Sequence, residues 1–114
     1  MGATTARQAI QVAWLDALFA SETYAAQRRL AGRVAPPDES VRGILIALEA
    51  RGGRMTRAGL AQALDTPVFR LGGMVSATRR VLNVDQAQVL KDDGDEVVLD
   101  LRLLKAQFGL GVVS

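Results

Sequence analysis

Apolar residues return at helical spacing along most of the chain, and the interruptions divide it into short elements. Between Ala6 and Phe19, residues Ile10, Ala13, Trp14, Ala17 and Leu18 share one side of a helix. Ser21 breaks that run and can cap a second helical stretch reaching Leu30, which Gly32 and Pro36-Pro37 end. Asp38 or Ser40 can cap the next helix, where Val41, Ile44, Leu45 and Leu48 form a stripe away from Arg42, Glu49 and Arg51. Gly52-Gly53 stops it. Arg54 to Thr56 reads as extended, and Thr56 caps a helix carrying Leu60, Ala61 and Leu64.

Asp65-Thr66-Pro67 supplies a turn, with Pro67 expected at the first position of a helix running from Val68 to Leu82. That helix turns Leu71, Val75, Thr78 and Leu82 inward. Phe69, Arg70, Gly73, Ser76, Ala77 and Arg80 point the other way. Gln88 to Lys91 and Glu96 to Leu99 then read as two strands around Asp92-Asp93-Gly94-Asp95, an Asp-Gly hairpin signal. Leu101, Leu104, Lys105 and Phe108 predict a last short helix.

The order predicts a mainly α fold with a small β-hairpin (α+β): a winged helix-turn-helix preceded by one or two extra N-terminal helices. Residues 1–5 read as a disordered start or vector remnant, and 6–114 as a single winged-helix domain. Within it, 6–33 are the N-terminal helices, 38–100 the winged-helix core and 101–109 the C-terminal helix. The chain is expected to be a piece of a larger protein.

Composition narrows the chemistry. Hydrophobic residues are 49% and charged residues 23% of the chain, which fits a soluble globular domain. No apolar run approaches the ~18 residues of a membrane span, and no secretory pattern opens the chain, so a cytoplasmic protein with no membrane partner is expected. With neither Cys nor His, thiol nucleophiles, structural zinc and imidazole-based sites are excluded; no enzyme, cofactor or metal site is expected.

The net charge of +2 is unevenly spread. Residues 52–82 hold five arginines against Asp65, a net of +4, while 83–114 hold three cations against six carboxylates, a net of −3. The outward face of the Val68 to Leu82 helix is therefore the first candidate site. Were the chain to bind double-stranded DNA, Arg57, Arg70, Ser76, Arg79 and Arg80 would carry it, since a recognition helix reads the major groove. The acidic hairpin argues against a wing on phosphates.

Trp14, Leu18 and Phe19 form the second candidate, a protein-interaction surface. Either this helix caps the domain's own core, in which case no dimer follows, or it docks on a missing domain or forms a homodimer of the isolated chain.

Trp14-Leu15, Ser21, Tyr24, Gln27, Leu30 and Ala31, with Leu82-Asn83-Val84-Asp85, Val89-Leu90, Leu99-Asp100, Leu103-Leu104 and Gln107-Phe108-Gly109, resemble the C-terminal region of PglZ proteins. These belong to the phage growth limitation and BREX antiphage defence systems, and the resemblance runs from about Trp14 to Gly109. It implies a parent of the alkaline-phosphatase superfamily whose upstream domain binds divalent metal through Asp, Thr and His. None of those motifs maps onto this chain. Two functions are expected: an accessory module docking on the catalytic domain or on other BREX subunits, or a DNA-binding module of weak, largely non-specific affinity.

Overall fold

The structure, a computed structural model, describes residues 14–110. It is mainly helical with one small three-stranded antiparallel sheet. Helix α1 occupies 14–20 of the described residues, followed by α2 (Glu22–Ala31), a 3-10 turn (Gly32–Val34), α3 (Asp38–Ala50), β1 (Arg54–Thr56) and α4 (Arg57–Ala63). Then come α5 (Val68–Leu82), a 3-10 turn (Val84–Gln86), β2 (Leu90–Asp92), β3 (Glu96–Leu99) and α6 (Leu101–Phe108). The expected start remnant and Ile10 lie outside the described residues.

Local chemistry sets the boundaries. Ser21 accepts from the Tyr24 amide at 3.0 Å, Thr56 from Gly59 at 3.0 Å and Asp100 from Leu103 at 3.0 Å, so three helices begin on side-chain caps. Helix α5 has the expected bounds, but the caps of α3 and α5 differ from those expected. Pro37 and Pro67 are themselves the N-cap residues, with extended ψ angles of 147° and 142°. A proline in that conformation offers no side-chain acceptor, and Asp38 becomes the first helical residue. There its carboxylate accepts from the Tyr24 hydroxyl at 2.9 Å and pairs with Arg28 at 3.2 Å. Burial, and then the Asp38 carboxylate, push the Tyr24 hydroxyl up to about 12.

The helical stripes converge on one core. Val41, Ile44, Leu45 and Leu48 of α3, Leu60 and Ala61 of α4, and Leu71, Val75, Val81 and Leu82 of α5 are all buried. Thr78 is buried among them and donates its hydroxyl to the Met74 carbonyl at 2.8 Å, so its polarity is satisfied within the helix. Val89, Leu90, Val97 and Leu99 close the core from the sheet, and Leu104, Phe108 and Leu110 from the end of the chain. Trp14, Leu15 and Leu18 belong to this same core, whereas Ala17, expected on the apolar stripe, is exposed.

The sheet has the order β1-β3-β2, with β3 between its neighbours. Met55 faces Val97 across one ladder and Lys91 faces Val98 across the other. The first hairpin strand begins later than the expected Gln88. The Asn83 side chain, just past α5, donates to the Leu90 carbonyl at 3.1 Å and accepts from the Leu90 amide at 2.9 Å. An amide side chain thus stands where a neighbouring strand would.

Candidate interaction surface

Fifteen residues of α5 present two unlike sides. One is sealed in the core. The other carries Phe69, Gly73, Ser76 and Arg80, all exposed and spaced by four, three and four positions, with Arg70 exposed at its edge. Phe69 is 83% exposed and its neighbour Val68 52% exposed, a large apolar tip at the start of the helix. Beyond them, the small side chains of Gly73, Ser76 and Ala77 leave the backbone approachable.

The arginines expected to act together are placed differently. Arg70 and Arg80 are exposed and pair with no carboxylate among the described residues. Arg79 is half-buried, and its Nε has no hydrogen-bond partner among the described residues. Arg57 does not join them as a free cation. Its Nη2 and Nε donate to the two carboxylate oxygens of Asp92 at 2.6 and 3.0 Å, a bidentate pair between the start of α4 and the hairpin. The Asp92 side chain is only 6% exposed, and the Arg57 guanidinium lies against Gly72 of α5. The Arg57 hydrogen bonds, reinforced by the Gly94 amide, hold the Asp92 carboxyl below the usual carboxylate range.

The hairpin acids are therefore not four equal charges in water. Asp92 is neutralised by Arg57 and also accepts from Gly94, while Asp93 accepts from the Asp95 and Glu96 amides at 2.9 and 2.8 Å. Those two amides lower the Asp93 carboxyl. These contacts build the turn, with Gly94 at a φ of 101°. Among the described residues no three carboxylates converge as a metal site would require.

Trp14 and Leu18 are 7% and 0% exposed, enclosed by their own domain. Phe19 is half-buried, edge-on to Tyr24 at 5.2 Å and covered by the Arg42 guanidinium at 4.8 Å. This burial of Trp14 and Leu18 within the chain fits the alternative in which the helix caps its own core. Phe69, by contrast, reads from the sequence only as outward-facing. Its signal was an aromatic residue at a polar position of the α5 pattern.

What the described residues present, then, is a mainly helical fold with an exposed, partly apolar face on α5 and no convergent catalytic side chains. It matches the family described as the BREX system PglZ C-terminal domain over residues 9–109, and the chain belongs to that family. No curated protein and no solved structure matches it. Among the described residues no helix is long and apolar enough to cross a membrane.

Proposed function

We propose that this domain is a non-catalytic accessory module of a PglZ-type phage-resistance protein, docking it to its own catalytic region or to other BREX subunits. The observation that carries this reading is the exposed α5 face led by Phe69. An aromatic side chain left in water beside Val68 is the kind of group that dominates protein interfaces, whereas phosphate is recognised by charge. The supporting architecture is a winged helix-turn-helix. What supports this is the element order of α3, β1, α4, α5 and the β2–β3 hairpin, in which α5 would be the recognition helix. In this reading the recognition helix serves a protein.

The second reading, DNA binding, is favoured by one observation: Arg70 and Arg80 on the same helix pair with no carboxylate among the described residues. Sequestration of Arg57 by Asp92 leaves few cations for phosphates, so the affinity expected is micromolar or weaker and falls steeply with salt. Titrating the chain against the remainder of the PglZ protein and against duplex DNA, each at two salt concentrations, separates the readings. Saturable binding to the protein that persists at the higher salt supports docking. Nanomolar, sequence-selective DNA binding lost in the Arg70→Ala, Arg80→Ala double variant would replace it.

A further inference from the structure

We infer that the outer edge of β1, with the groove between α3 and α4 beside it, takes an extended acidic segment of a partner protein as a fourth strand. Leu99 donates to the Gly53 carbonyl at 2.7 Å and Arg57 donates to the Asp95 carbonyl at 2.9 Å, so the residues of this strand that bond to β3 are 53, 55 and 57. Arg54 and Thr56 alternate with them. The Arg54 amide and carbonyl and the Thr56 amide point away from the sheet, since β1 is an edge strand.

These groups open onto a groove of about 710 Å³. Its walls near the strand are built from small residues, Ala47 and Ala50 of α3 with Gly59 and Ala63 of α4, so a second backbone can come within hydrogen-bonding distance of β1. Charge selects the occupant. Arg51 and Arg54 line the groove against one carboxylate, Glu96, which is 3.9 Å from Arg54. A second copy would set Arg51 and Arg54 against themselves. An acidic strand meets opposite charge, with alternate side chains reaching the two arginines. The groove shares no residue with the Phe69 face, so the inference stands apart from the docking reading.

The test is fluorescence anisotropy with the 114-residue chain and a labelled heptapeptide alternating Glu and Val, against its Lys-Val counterpart. Saturable binding of the acidic peptide only is expected, weakened about tenfold by Arg51→Glu and by Arg54→Pro, which removes an outward edge donor. Phe69→Ser leaves this binding unchanged. Because Arg54→Pro can disturb folding, an acidic peptide N-methylated at alternate amides gives the same reading on the native chain: one of its two methylation registers must lose binding. Absence of saturable binding, equal affinity for the basic peptide, or indifference to N-methylation in both registers overturns the proposal. So does a concentration-dependent dimer that Arg54→Pro abolishes, which would put a second copy on the edge.

Discussion

Replacing Phe69 by serine should separate stability from recognition. At 83% exposed the ring contributes little to the core, so the variant should change folding free energy by no more than about 0.5 kcal/mol. For a domain of this size that corresponds to a melting-temperature change of about 2–4 °C at most. Binding should respond differently. Full burial of a phenylalanine is worth about 1.5–3 kcal/mol, and with 83% of the residue surface still open, most of that gain is available to a partner. Loss of about 1–2.5 kcal/mol weakens affinity roughly five- to seventyfold. The assay pairs calorimetric titration of wild type and Phe69→Ser against the remainder of the PglZ protein with thermal melts of both. Unchanged affinity refutes the argument that α5 docks through its tip. A large drop in melting temperature would show that the ring supports the fold.

Gly53→Ala should destabilise the domain by at least about 1–3 kcal/mol in urea titration, because Gly53 has a φ of 92° and an added Cβ would lie 2.8 Å from the Leu99 carbonyl oxygen. Asn83→Ala should cost about 1–3 kcal/mol in the same measurement, since it leaves the amide and carbonyl of buried Leu90 without their partners. Asp92 has a lowered pKa, so its contribution is complete above the unfolded value and is lost as pH falls through the lowered folded value. Melting temperature of the wild type should therefore fall below about pH 4, and that of Asp92→Asn should start lower near neutrality and decline less on acidification. Coincident curves would show the Arg57–Asp92 pair to be without effect on stability.

Most of the fold is legible in the sequence because its signals are local. The stripe Val41, Ile44, Leu45 and Leu48 repeats at helical spacing, Gly52-Gly53 ends that helix, and Asp93-Gly94 sits at the observed hairpin tip. What escapes is non-local. Arg57 reads as a free cation because Asp92, its partner, is 35 residues away, and no periodicity relates the two. The pairing of the Asn83 side chain with Leu90 escapes for the same reason. The placement of Trp14 and Leu18 turns on which surface covers the first helix, and amphipathicity cannot tell an internal cover from an external one.

Asn83 also has a mechanical consequence. Its two hydrogen bonds fasten the end of α5 to β2, while Arg57 fastens the start of α4 to the same hairpin through Asp92. The α4 and α5 pair is thus clamped to the sheet at two separate points. A torque applied to the outer face of α5 cannot turn that helix alone. It strains the two Asn83 bonds to Leu90 of β2 as well.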